Sequence, residues 1–324
     1  MRIKAGYTLT YDCPKPTPML LCLNIHPSRR GDLITPQDIE FSPNTGHWDY
    51  VDSFGNVCTR ITAPAGRLTI STEFVIHDSG RFDYVPVDAA QHDIHNLPDD
   101  VLVFLLGSRY CETDKLADIA WSQFGGTAPG WPRVQAILDF VHNHIRFDYQ
   151  RADPTRGAFG GYTDRVGVCR DFAHLALTFC RCMNIPARYC SGYLGDIDTG
   201  PVPGPMDFSG WFEVYLGGHW YTADARHNKP RVGRILMAIG RDATDVAIST
   251  QFGPATLTSF NVVTDEIVAA LASAVEKSLA DPEVQTKLDR AGIVKPAATG
   301  PDYAGKFLRQ EVAKWGEVLR EAKD

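Results

Sequence analysis

Gly167-Val168-Cys169-Arg170-Asp171-Phe172-Ala173-His174-Leu175 is the stretch whose reading decides the fold, with Asp207-Phe208-Ser209-Gly210-Trp211-Phe212-Glu213-Val214-Tyr215 as its counterpart. A Gly217-Gly218 pair follows the second stretch and leads to His219-Trp220-Tyr221-Thr222-Ala223-Asp224. From Cys169 to Met183 the apolar residues Phe172, Leu175, Ala176, Phe179 and Met183 recur at i, i+3, i+4 and predict a helix with one buried face. Asn184 and Pro186 end it. Cys169 then lies in the first turn, where unpaired backbone N–H groups and the helix dipole favour a thiolate and lower a thiol pKa by about a unit or more. The same N–H groups are placed to donate to an oxyanion. With Gly217-Gly218 as a two-residue hairpin turn, Leu216 pairs with His219 and Trp211 with Asp224. Side chains alternate, so Asp224 shares a face with Trp211 and, one step beyond, with Ser209.

These motifs resemble the core of the transglutaminase-like superfamily, in which Gly-x-Cys opens a helix, His-Ala-Trp-x-Glu begins a strand, and an Asp on the next strand completes a Cys-His-Asp triad. Ile185-Pro186-Ala187-Arg188 with the strand through Ser191-Gly192-Tyr193, and the later Gly240-Arg241-Asp242, extend the resemblance over residues 1–260. It implies acyl transfer or amide hydrolysis on peptide or glutamine-like substrates through a cysteine thioester. Cys169 would be the nucleophile, Asp224 the orienting acid, and Trp211 and Gly167 residues of the substrate cleft.

The chain departs from the family pattern where it matters most, because Ser209 stands at the triad histidine. A serine has no basic nitrogen with which to take the thiol proton or protonate a leaving amine. His219 is expected on the opposite face from Asp224, and His174, five residues past Cys169, about 140° around the helix from it. His227, just beyond the strand, is the one local substitute base. Ser209 as a nucleophile is disfavoured, since it lies in no Gly-x-Ser-x-Gly elbow. The alternative to an enzyme is a non-catalytic binding module, a pseudoenzyme, that uses the same cleft for a peptide or protein partner.

The fold class expected is α+β: a β-rich N-terminal domain at 1–95, a papain-like transglutaminase core at 96–262, and a helical tail at 263–324. Turn-punctuated strands such as Asn56 to Ala63 and Leu68 to Ile76 carry the first part. Helices over Thr113–Phe124 and Trp131–Ile145 open the second. A hydrophobic fraction of 44% and a charged fraction of 22% are those of a globular protein with a substantial core. A net charge of −7 without a basic cluster argues against nucleic acid or an anionic membrane as partner. No apolar signal core and no membrane span stand out, so a cytoplasmic protein is expected. The eight cysteines are then mostly thiols. Cys180, Cys182 and Cys190 are too irregularly spaced for zinc, and neither metal nor cofactor is expected.

After Val263 the composition changes. Asp265 to Leu279, Val284 to Ala291, and Pro301 to Ala322 read as three amphipathic helices, the second opened by Asp281-Pro282-Glu283. This run resembles the C-terminal end of periplasmic receptors of tripartite tricarboxylate transporters over roughly the last 60 residues. The ligand-binding segments of such receptors have no counterpart in the chain, so carboxylate binding is not implied. Docking on the core or self-association through the tail is the expectation, since its apolar positions need a partner surface.

Overall fold

A computed structural model describes residues 1–197, 199, 206–267, 275 and 277–290 of the chain. Strict alternation makes the first strand, β1 (Arg2–Cys13), in which Ile3, Ala5, Tyr7, Leu9, Tyr11 and Cys13 are all buried. The strands that follow are β2 (Thr17–Leu21), β3 (Glu40–Ser42), β4 (His47–Val51), β5 (Val57–Ala63) and β6 (Gly66–His77). Next come helices α1 (Thr113–Phe124) and α2 (Trp131–His144), a short strand β7 (Arg146–Phe147), α3 (Ala158–Asp164), β8 (Val166–Gly167) and α4 (Cys169–Cys182). The remaining elements are β9 (Ala187–Tyr193), β10 (Ser209–Leu216), β11 (His219–Ala223), β12 (Ile235–Gly240), β13 (Ser249–Gln251), β14 (Thr256–Glu266) and α5 (Pro282–Arg290).

Two four-stranded antiparallel sheets, ordered β14-β1-β6-β3 and β13-β2-β5-β4, make the β-rich part, and a third, β11-β10-β9-β12, carries the core. The arrangement is the expected α+β fold. Strand pairing nevertheless crosses the boundaries drawn at 95 and 262. β13 pairs with β2 and β14 runs along the whole of β1, so the sandwich is completed by residues from the far end of the sequence. Its apolar interior also takes Tyr193, Phe208, Ile235 and Met237 from the core. No sequence periodicity announces a partner some 250 residues away, which is why a contiguous division was drawn.

The helix expected from Asp265 starts two residues later than expected, with Ile267, Val275 and residues 277–280 helical among the described residues, and the same pairing sets that start. β14 continues through Asp265 and Glu266, opposite Lys4 and Ile3, with Val262 and Thr264 buried on its inner face. An open edge of β1 offers those residues a full ladder of hydrogen bonds, which a helix start there would forfeit. The second expected helix is present as α5, capped by Asp281, whose Oδ1 accepts the Glu283 N–H at 2.8 Å. The third expected helix, and most of the first, lie outside the described residues. Among the described residues no helix is long and apolar enough to cross a membrane.

Around α4 the burial goes further than its sequence pattern indicates. Every residue from Asp171 to Cys182 is buried, not one face only, because α1, α2 and α3 pack on it from one side and β9 and β10 from the other. Polar residues survive there by pairing with backbone: Arg181 donates from Nε to Ala187 O at 3.0 Å and from Nη1 to Leu106 O at 3.0 Å. The β10–β11 hairpin has the expected register, Leu216 opposite His219, with both turn glycines at positive φ, +54° and +85°. Such a two-residue turn with both central residues left-handed matches the strand twist.

Asn56 ties the sandwich to the core sheet. Its Nδ2 donates to Ile239 O at 2.7 Å and its Oδ1 accepts from Ile239 N at 2.8 Å, both fully buried. Asn56→Ala leaves an N–H and a carbonyl of β12 without partners, and each such group costs about 1–3 kcal/mol. The variant should lose about 2–4 kcal/mol in urea unfolding; a loss below about 0.5 kcal/mol would mean that the tie is not holding the two sheets together.

Candidate active site

The head of α4 is fixed by a carboxylate in its first turn. Asp171 Oδ2 accepts the Val168 N–H at 2.7 Å, and the Asp171 N–H donates to Val168 O at 2.8 Å. Arg156 Nη1 stands 3.4 Å from the same oxygen. Gly167 serves this cap. A Cβ there would collide with the Asp171 carboxylate, so only glycine lets the chain pass so close. Its place is behind the helix start, on β8, not in the substrate cleft as expected.

Cys169 follows immediately and is half-buried. It lines a cleft of about 570 Å³ with Tyr110, Tyr189, Asp207, Ser209 and Gly210. The backbone N–H groups of Gly210 and Arg170 act in favour of its thiolate. The lowered thiol pKa expected from the helix terminus is not what the site produces. Burial pushes the thiol up, Asp207 adds to it, and Arg226 with the two N–H groups only partly offsets them. At neutral pH the resting form is the thiol.

Ser209 is where the register puts it, at the start of β10 opposite Gly192, buried and on the wall of the Cys169 cleft. No histidine lines that cleft among the described residues. Asp224 belongs to a different network. Its Oδ2 accepts Arg234 Nη2 at 2.7 Å and His227 Nδ1 at 2.8 Å, and its Oδ1 accepts the His227 N–H at 3.1 Å. Burial would raise this carboxyl, but Arg234 and His227 overcome it and hold it well below the ordinary carboxylate range. Arg234 in turn donates from Nε to Asp83 at 2.9 Å.

His227 therefore does fold back onto Asp224. An ionised carboxylate only accepts, so Nδ1 carries the proton and Nε2 is the basic nitrogen. Burial lowers the imidazole pKa against the pull of Asp224, which keeps the ring neutral at pH 7. Neither His227 nor Asp224 is among the residues that wall the Cys169 cleft. Trp211, expected at the cleft, is also elsewhere. It points from the other face of β10, packs with Cys190 and Ile239, and lies 5.1 Å beneath the Arg234 guanidinium. Further along β10 Phe212 and Val214 enter the core that includes α4, and Trp211 lies on the opposite face.

Tyr189 is a cleft residue that the motif reading passed over. A Cβ at position 210 would collide with its hydroxyl, so Gly210 is what lets the phenol stand beside the thiol. Burial raises the phenol's pKa and keeps it protonated, and the charge of a Cys169 thiolate adds to that rise. A glycine inside an otherwise apolar strand was the available signal of such a close approach. Among the described residues no group of three His, Cys, Asp or Glu side chains is disposed to hold a metal ion.

Residues 119–225 match the family model of the transglutaminase-like superfamily core. A solved structure from Cytophaga hutchinsonii, provisionally described as a cysteine protease, superposes with a TM-score of 0.70 at 29% identity. That likeness covers 82% of this chain and 91% of the other. An uncharacterised protein of Mycobacterium leprae is 26% identical over 237 residues, 64% of this chain and 77% of its own length. An uncharacterised Mycobacterium tuberculosis protein is 28% identical over 222 residues, 60% and 68% respectively. The chain carries the core of the transglutaminase-like superfamily on an α+β fold.

His174, on α4, is fully buried, stacks on Tyr110 with ring centroids 5.0 Å apart, and accepts the Ala243 N–H on Nε2 at 3.1 Å. Burial depresses its pKa to about 3. Between that value and the unfolded value of about 6.5 only the unfolded chain binds the proton, so stability falls as pH drops through this window. The slope from this group is about 1.4 kcal/mol per pH unit. Unfolding free energies measured from pH 7 to pH 4 should fall more steeply for the native chain than for His174→Gln by that amount; equal slopes would show that His174 is protonated in the fold.

Proposed function

We propose that the chain binds a peptide or glutamine-like amide in the Cys169 cleft and, in its present form, does not turn it over. The observation that carries this reading is the composition of the cleft wall: a thiol at a helix head, two backbone donors, and a serine where the family has its imidazole. An amide carbonyl placed against the sulfur lies at the head of α4, whose first-turn N–H groups are donors suited to its oxygen. Among the described residues the cleft wall carries no imidazole to take the thiol proton and return it to a leaving amine. The half-buried, protonated Cys169 is then a contact surface for the amide, and binding ends there. General acid–base help of this kind is worth about 10²–10⁴-fold in rate.

A second reading is favoured by the 2.8 Å contact between His227 and Asp224. Here the imidazole is oriented by the same aspartate that the family uses, but is supplied from three residues downstream, and cysteine-dependent acyl transfer or amide hydrolysis proceeds by movement of the His227 turn toward Cys169. The first reading is preferred because His227 has no place on the cleft wall.

Introducing the missing base separates the two. Ser209→His should raise ammonia release from a glutamine-containing peptide by about 10²-fold or more over the parent chain. Parent turnover that is abolished equally by Cys169→Ala and by His227→Gln would contradict the binding-only reading and establish the relocated base.

A further inference from the structure

Cys22 and Cys58 sit away from the cleft described above, in the β-rich part of the chain. β2 and β5 are antiparallel with Leu21 opposite Thr59, so the next pair in register is Cys22 opposite Cys58. Their sulfurs are 4.0 Å apart, both side chains are buried, and neither is in a disulfide. Directly opposed residues of an antiparallel pair have Cα atoms about 4.5–5.5 Å apart, inside the span of about 4.4–6.8 Å that a disulfide requires. Closure to an S–S bond of about 2.05 Å therefore needs side-chain rotation and little backbone movement.

We infer that Cys22 and Cys58 are a dithiol redox site that closes to a cross-strand disulfide on exposure to a hydroperoxide. The two sulfurs are chemically unequal. The Cys58 thiol donates toward the Cys22 sulfur at 4.0 Å and toward Asp52 Oδ2 at 3.9 Å, and the contact between the two sulfurs lowers the Cys58 pKa while it pushes Cys22 up. Cys58, with the Asp52 carboxylate placed to accept its proton, is the attacking sulfur. Its thiolate displaces hydroxide from the peroxide to give a sulfenic acid. The Cys22 sulfur then attacks that sulfur and water leaves, so that two thiols and one peroxide become one disulfide and two waters.

The surroundings tie this pair to the rest of the molecule. The Cys22 N–H donates to Ile248 O at 3.2 Å, and Leu21 pairs with Ser249. Ile248, Ser249 and Thr250 line the Cys169 cleft, so the bond would form in the strand on which that wall hangs. Asp52 Oδ2, 3.9 Å from the Cys58 sulfur, also accepts from Asn56 Nδ2, the residue that joins the two sheets.

The test needs no variant. The chain is treated with hydrogen peroxide in small excess, capped with N-ethylmaleimide in denaturant, and digested without reduction. Two of the eight thiols should be lost and a single linked peptide pair carrying Cys22 and Cys58 recovered. Dithiothreitol should restore both thiols. Recovery of Cys22 and Cys58 fully capped while Cys169 or another cysteine is oxidised would overturn the inference, as would linkage of either residue to a different cysteine. Cys58→Ser provides a second measurement: Cys22 should then be recovered capped, and a Cys22 disulfide to any other residue counts against the site.

Discussion

The position of the thiol, and with it everything the cleft can do, depends on one buried carboxylate. Asp171 Oδ2 holds the Val168 N–H and faces Arg156, closing the first turn of α4 at the residue before Cys169. Burial raises the Asp171 pKa and these partners act against that rise. The cap also explains its neighbours. Gly167 has no side chain because the carboxylate fills the space, and the β7–β8 pair, Phe147 opposite Gly167, carries the preceding loop past the same point. A helix buried on all sides gives the head no freedom to tilt, so the sulfur is presented to the start of β10 in one orientation.

Two separate polar systems stand where a single triad would join them. One surrounds Cys169 with backbone donors, Tyr189, Arg226 and Asp207; the other surrounds Asp224 with Arg234, His227 and Asp83. In the first the cost of burying a thiolate outweighs the help of one arginine and a helix terminus, and the proton stays on sulfur. In the second the arginine is itself buried and shared by two carboxylates, which is why Asp224 remains ionised without any imidazole from position 209. Serine is small enough to leave each system undisturbed, but it conveys no proton between them.

Much of this was legible in the residues. The Cys169 helix, its termination at Asn184 and the β10–β11 register followed from local spacing, and the glycine pair specified its turn. His227 was identifiable as the local histidine able to fold back as a substitute base, and it meets Asp224 without joining the wall of the Cys169 cleft. What local spacing does not contain is long-range pairing and desolvation. The sheet partners of β1 and β2 come from β14 and β13, and so a strand stood where a helix start was expected. The direction of the Cys169 shift depends on how much water three-dimensional packing removes, a quantity absent from a motif. Trp211 was placed on the correct strand face, yet that face looks onto Arg234 and not onto the cleft.

What the cleft can do turns on whether the Cys169 sulfur is protonated at rest. The direct measurement is the pH titration of thiolate ultraviolet absorbance near 240 nm, taken as the difference between the parent chain and Cys169→Ala. A rise from this residue displaced to higher pH than that of an ordinary thiol is the result expected of a half-buried thiol with no imidazole beside it. A thiolate already present below about pH 7 would contradict it, and would mean that an imidazole or its equivalent reaches the sulfur after all.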